Sequence, residues 1–182
     1  GCTEFAADVG NLEYQEAFLA KIGGLVARGY TGVMIDDVNL LRRFGDSQGN
    51  PVWPMNPRTG QEMTLSEWRA SSAGLLARVR TEFPQLNIMH NAVWFADTPG
   101  FTSPYVDQQI ASADVIALER GANDPGLTGG DGGYSFAKFM AYVDRVHARG
   151  ANVALIDRTA TTEGEQVFNL ATALLVNDGN DF

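Results

Sequence analysis

Gly32-Val33-Met34-Ile35-Asp36-Asp37 is a short apolar, β-branched run that stops on two acids, and Val38-Asn39 then lead into a long polar loop. A strand buried in a parallel sheet reads as this kind of near-continuous hydrophobic stretch. The pattern recurs. Leu86-Asn87-Ile88-Met89-His90-Asn91 ends on a polar pair, Asp114-Val115-Ile116-Ala117-Leu118 ends at Glu119, and Asn152-Val153-Ala154-Leu155-Ile156 ends at Asp157. In a (β/α)8 barrel, catalytic side chains sit where such strands stop, at the C-terminal face. Four strands are therefore expected to aim Asp36, Asn91, Glu119 and Asp157 at one rim.

Helical periodicity fills the intervals between these runs. A first strand, roughly Thr3 to Ala7, is expected to end at Asp8 and to pass through Gly10-Asn11 into a helix from about Leu12 to Arg28. Phe18, Leu19, Ile22, Leu25 and Val26 recur there at helical spacing, and Gly29 stops the helix. After the Asp36 strand comes a loop from Leu40 to Met63. Thr64-Leu65-Ser66-Glu67 has the form of a capping box that opens a helix to about Glu82, before Pro84. A second loop, Ala92 to Ser103, leads to a short helix through Ile110. The glycine-rich stretch Gly121 to Gly133 precedes a helix from Tyr134 to Arg149, and Thr161 or Thr162 caps a last helix to about Val176.

Five βα units in strict alternation predict a parallel sheet with right-handed crossovers. A closed barrel is expected over an open doubly wound sheet, because the polar strand ends are spread along nearly every unit whereas an open sheet concentrates its chemistry at one switch point. A full barrel takes about 250 residues. The 182 residues are accordingly read as a single α/β domain, 1–182, forming an incomplete (β/α)8 TIM barrel with strands missing at both ends.

Composition narrows the partners. The formal charge of -9 argues against nucleic acid or an anionic membrane surface, both of which require clustered positive charge. No apolar run approaches the ~20 residues that span a bilayer, and the N-terminus does not read as a basic-then-apolar leader. Cys2 is the sole cysteine, so the chain holds neither a disulfide framework nor a thiolate metal set. The Gly121 to Gly133 stretch lacks the spacing of a phosphate-binding loop. No cofactor or metal is expected, and a secreted or periplasmic location is expected over a cytoplasmic one.

Gly29-Tyr30-Thr31-Gly32-Val33-Met34-Ile35-Asp36-Asp37 resembles the G-[FY]-[DT]-G-[VI]-x-[LI]-D-[DN] signature of TIM-barrel glycoside hydrolases, in particular glycosyl hydrolase-like families distantly related to the α-amylase and polygalactosaminidase barrels. Asp8-Val9-Gly10-Asn11 is similar to the step that precedes the helix before that strand, and Ala117-Leu118-Glu119 to the later acid-bearing strand. The resemblance implies hydrolysis of a poly- or oligosaccharide, with Asp36 as nucleophile and Glu119 as general acid/base. Met34 departs from the amylase-type pattern, which carries an arginine there.

Carboxylate chemistry agrees with that pairing. Glycoside hydrolysis needs two carboxyl groups flanking the scissile bond, about 5 to 5.5 Å apart for retention or about 6.5 to 9.5 Å for inversion. Strands n and n+2 lie ~9 to 10 Å apart, and side chains leaning together reach either range. Asn91, Asp157 and Asp8 are assigned to sugar hydroxyls and Trp94 to a stacking face. Asp37, placed by period two on the opposite side of its strand from Asp36 and grouped with the substrate-binding residues, is assigned to binding loop backbone amides or to supporting the site from behind. Each of these polar strand ends also fits a plain helix- or turn-capping role. Two other functions stay open: a divalent-metal barrel enzyme with Asp36, Glu119, Asp157 and Asn91 as ligands, and a carbohydrate-binding barrel without turnover. His90 reads as a hydrogen-bonded core residue.

Overall fold

The computed structural model describes residues 7–41, 44–45, 48–157 and 160–182. The expected first strand, Thr3 to Ala7, falls almost wholly outside the described residues, as does Cys2. Helix α1 (Leu12–Val26) is capped by Asn11, whose side chain accepts from the amides of Glu13 and Tyr14. It ends two residues before Arg28, and Gly29 turns the chain at φ 93° into β1 (Gly32–Val38).

The 40–63 segment, expected from sequence to be a loop, contains two small antiparallel ladders. These are β2 (Phe44–Gly45) with β3 (Pro51–Val52), and β4 (Met55–Asn56) with β5 (Gln61–Glu62). Helix α2 (Leu65–Glu82) comes next, and its capping box is formed: Thr64 accepts from the Glu67 amide while Glu67 accepts from the Thr64 amide. Those hydrogen bonds hold the Glu67 carboxyl below its ordinary pKa. Then come β6 (Asn87–Ala92), α3 (Pro104–Ala111), β7 (Val115–Glu119), a 3-10 turn at Gly121–Asn123, α4 (Phe136–His147), β8 (Asn152–Ile156) and α5 (Glu163–Val176). Thr162 caps α5 with a second capping box, on Glu165.

Four strands form one parallel sheet in the order β1-β6-β7-β8. Neighbours in space are neighbours in the chain's run of βα units, and among the described residues the order does not reverse, which fits a sector of an α/β barrel. The C-terminal Phe182 adds to the β8 edge, its amide donating to Val153 O and its carbonyl accepting from Leu155 N, the parallel pattern. The register aligns Met34, Met89, Val115 and Asn152 as one row. One face of the sheet carries Ile35, Val38, Ala92, Ile116, Leu118 and Val153 into a core shared with Leu76 of α2, Ile110 of α3 and Phe139 of α4. Val33 and Ile88 join a second cluster with Leu19 and Ile22 of α1. By period two the other face carries Met34, Asp36, Asn91, Glu119 and Ile156, and of these all but Asn91 are exposed, including the apolar Met34 and Ile156.

A buried charge network fastens the segment after β6 to the helical layer. Arg145 donates to Asp97 Oδ1 at 2.8 Å and to Asp107 Oδ1 at 2.7 Å, with a third bond to Ser103 O at 3.1 Å, while the Ser103 amide donates to Asp97 Oδ2. The side chains of Arg145 and Asp97 are 6% and 4% exposed. Removing Asp97 leaves the buried Arg145 charge with the more exposed Asp107 as its remaining acidic partner, and breaks the fully buried pair. Asp97→Ala is therefore expected to destabilise the fold by about 3 to 5 kcal/mol, read as a lowered midpoint in urea unfolding at pH 7.

Candidate active site

The strand that decides the fold also builds the site. β1 pairs in register with β6 from Gly32↔Asn87 to Ile35↔His90, and resumes at Val38↔Ala92, so one extra residue sits between Ile35 and Val38. That is a β-bulge, and Asp37 occupies it in the left-handed region at φ 52°, which aspartate tolerates better than most residues. The bulge corrects the period-two expectation for Asp37. Ile35 and Val38, three residues apart, both pack into the core, whereas Asp36 and Asp37 are both exposed. Asp37 is thus beside Asp36 on the open side and not behind it.

The carboxylate of Asp36 is held from its own strand and from the next. The Asp37 amide donates to Asp36 Oδ1 at 2.9 Å, and Asn91 Nδ2 donates to the same oxygen at 2.8 Å. Asp36 and Asp37 also border a cavity of about 590 Å³. Its walls come from α1 (Tyr14, Phe18), the segment after β1 (Phe44, Trp53) and α2 (Trp68, Ser72), and no Lys, Arg or His is among the described residues that line it. Trp68 secures this wall by donating its Nε1 hydrogen to Asn39 O at 2.7 Å. Tyr14 and Phe18 are not among the sequence candidates, although their spacing of four on α1 places both on one helix face.

Glu119 ends β7, two strands from Asp36 across β6, and is exposed on the same face of the sheet. It lies one pleat beyond the row of Asn91 and Ala117, opposite Ile156. Twice the inter-strand spacing and one pleat put the two Cα atoms roughly 10 to 12 Å apart, and the longer glutamate arm can lean back toward Asp36. Arg120 adopts φ 70° and pairs with Asp124 at 3.6 Å.

The remaining sequence candidates are placed elsewhere. Trp94 is 6% exposed and sits edge-on between Phe95 and Phe139, so its ring faces are packing surfaces and not a platform for a ligand. Asp8 accepts from the Gly10 amide at 3.1 Å and lies 3.5 Å from Arg58. Asp157 accepts from the amides of Asn123 and Ala160, tying together the loops after β7 and β8. It borders a separate cavity of about 180 Å³. Among the described residues, the His, Asp and Glu side chains whose ligand atoms do converge are His147, Asp178 and Asp181, and these lie at the opposite, N-terminal end of β8. There Asp181 accepts from the Val153 amide and stands 3.0 Å from His147, clamping the C-terminal segment to the sheet.

No protein-family model and no curated protein matches the chain by sequence. In three dimensions the chain is similar to the glycoside hydrolase domain of PelA from Pseudomonas aeruginosa, with a TM-score of 0.55 and 18% identity over 93% of this chain. A glutamate-to-alanine variant of that domain gives a TM-score of 0.53 and 16% identity over the whole of this chain. The chain spans 59% and 66% of the lengths of those two solved chains. At such identities the likeness establishes the fold alone, which the chain shares with that domain.

His90 points away from the site. It is fully buried on the helix side of β6, with Gln109 Nε2 3.2 Å from its Nδ1, and burial together with the nearby Arg80 cation lowers its pKa to about 4. The unfolded chain takes up this proton near pH 6.5 and the folded chain only near pH 4. The contribution of His90 to stability is therefore full above pH 6.5 and lost as pH falls toward 4. Relative to His90→Asn, the wild type is expected to lose about 3 kcal/mol between pH 7 and pH 4, measured by urea unfolding at a series of pH values.

Proposed function

We propose that the protein is a glycoside hydrolase that cleaves a poly- or oligosaccharide with Asp36 as nucleophile and Glu119 as general acid/base. The observation that carries this reading is that the two carboxylates share the open face of the sheet, at the C-terminal ends of strands separated by one neighbour, with Asn91 of that neighbour bonded to Asp36. The spacing suits a sugar ring between them: side chains leaning inward across about 10 Å of sheet reach the separations that retaining or inverting hydrolysis needs. In the proposed reaction Glu119 protonates the leaving oxygen as Asp36 attacks the anomeric carbon, then activates the water that releases the sugar. The cavity beside Asp36 supports a carbohydrate ligand, because Tyr14, Phe44 and Trp53 supply flat apolar faces and the acids supply hydroxyl acceptors.

We further read the four-stranded sheet as a sector of a closed (β/α)8 barrel. Support comes from the unreversed strand order and from the exposed Met34 and Ile156 on the face opposite the helices, since parallel sheets are normally covered on both faces. The strand-end acids that a metal-dependent enzyme would use are differently engaged, Asp157 with backbone amides and Asp36 with Asn91.

The test is release of reducing sugar from a panel of polysaccharides by the natural protein, with and without EDTA. Hydrolysis is expected to survive EDTA, and Asp36→Asn and Glu119→Gln are each expected to lower kcat by about 10² to 10⁴-fold. Activity abolished by EDTA, or retained in both variants, would dismiss the reading.

A further inference from the structure

Asp8, Asp36 and Asp157 differ in how their oxygens are used. Both oxygens of Asp157 accept backbone amides, and Asp8 is shared between the Gly10 amide and Arg58. At Asp36 two donors converge on one oxygen. Asp37 N and Asn91 Nδ2 both reach Oδ1, and among the described residues Oδ2 has no hydrogen-bond partner. The donors are themselves fixed. The Asp37 amide lies in a bulge anchored on both sides, at Ile35 and Val38, and Asn91 is held on β6 with its main chain paired to β7. A carboxylate gripped in this way cannot rotate about its Cβ–Cγ bond without losing both bonds.

We propose that Asn91 is a positioning residue which, with the Asp37 bulge amide, locks Asp36 by Oδ1 and presents Oδ2 as the reacting oxygen. The inference rests on the reading of Asp36 as nucleophile. In the reaction Oδ2 forms a bond to the anomeric carbon as the glycosidic C–O bond breaks, and the leaving oxygen takes the electron pair. Oδ1 keeps both hydrogen bonds throughout. The sequence pattern alone assigns Asn91 to a sugar hydroxyl; the geometry gives its Nδ2 to Asp36.

The test uses the natural protein with a set of 2,4-dinitrophenyl glycosides, whose leaving group departs without a proton, so that the first step reports attack by Asp36. Asn91→Ala is expected to lower kcat about 10²-fold, the usual consequence of a misdirected reacting group, with KM changed by less than about threefold. Asn91→Asp keeps the shape but donates only when protonated, so its activity optimum moves to more acidic pH than that of the wild type. Crystal structures of the wild type and Asn91→Ala supply a substrate-free readout: one orientation of the Asp36 carboxylate in the first, more than one in the second. Turnover in both variants within about threefold of wild type, or an Asp36 carboxylate that keeps its single orientation in Asn91→Ala, overturns the proposal. Asp36→Asn separates the two levels. Full turnover in that variant removes Asp36 as nucleophile, whereas its inactivity beside unimpaired Asn91 variants removes only the role of Asn91. If the wild type cleaves no dinitrophenyl glycoside, the crystal comparison decides.

Discussion

The parallel pairing of β1 with β6 is the constraint on which the site depends. At its start the strands approach so closely that a Cβ on Gly32 would stand 2.9 Å from Asn87 O, which is backbone and has little freedom to yield. Glycine there lets the ladder begin in register. From Gly32 to Ile35 each residue then has a fixed partner, and Ile35 and His90 turn together toward the helices. At the other end the same ladder skips one residue. Because the pairing is anchored on both sides of the bulge, the left-handed conformation of Asp37 is imposed by Val38 returning to the core opposite Ala92. The non-glycine residue in this region costs on the order of 1 kcal/mol, offset by the burial of Val38 and by the hydrogen bond of its own amide to Asp36.

Similar strand endings acquire different roles because the chain takes a different course after each one. Asp157 stands against the turn after β7, where Gly121, at φ 53°, leaves room for it. A Cβ on Gly121 would lie 3.3 Å from that of Asp157. The Asp157 carboxylate is consumed by two amides of these loops. Asp8 precedes Gly10 and closes a tight turn into α1. After β1, by contrast, Trp68 fastens the chain at Asn39 O, and the segment that forms β2 to β5 lends Phe44 and Trp53 to a wall of the cavity beside Asp36. The end of β1 is left open, and its acids face a cavity and not a turn.

The order of βα units, the capping box of α2, the threonine cap of α5 and the glycines that end α1 and α4 are legible in the sequence because each depends on local chemistry: hydrophobic period, an oxygen three residues before a glutamate, or a positive φ at Gly29 and Gly150. The bulge is harder to see, although Ile35 and Val38 carry its signal, since two core-facing residues three apart break the alternation of a strand. Trp94 misleads for a different reason. Its position just after a strand suggests a rim aromatic, but whether a loop tryptophan faces solvent or the core is decided by the long-range contact with Phe139 of α4, which sequence spacing does not encode. The small ladders of the 40–63 segment have only two residues per strand, too few for any period to register.

Burial on the two faces of the sheet bears on how the site would be completed. The helix side is closed by α1 to α4, whereas the opposite side exposes Met34 and Ile156, and α5 exposes Leu170, Leu174 and Leu175. Exposed apolar side chains on a parallel sheet call for a second layer, since such sheets are stable when both faces are covered. An open doubly wound sheet supplies that layer as helices on the second face, and its strand order reverses at the point where ligands bind. Here the order does not reverse, and the polar strand ends are consecutive along β1, β6 and β7. A barrel meets both conditions at once, because curvature lets the strands cover one another's inner face while keeping every C-terminal end at one mouth. The same curvature would tilt Glu119 toward Asp36, shortening the gap that a flat sheet leaves between them.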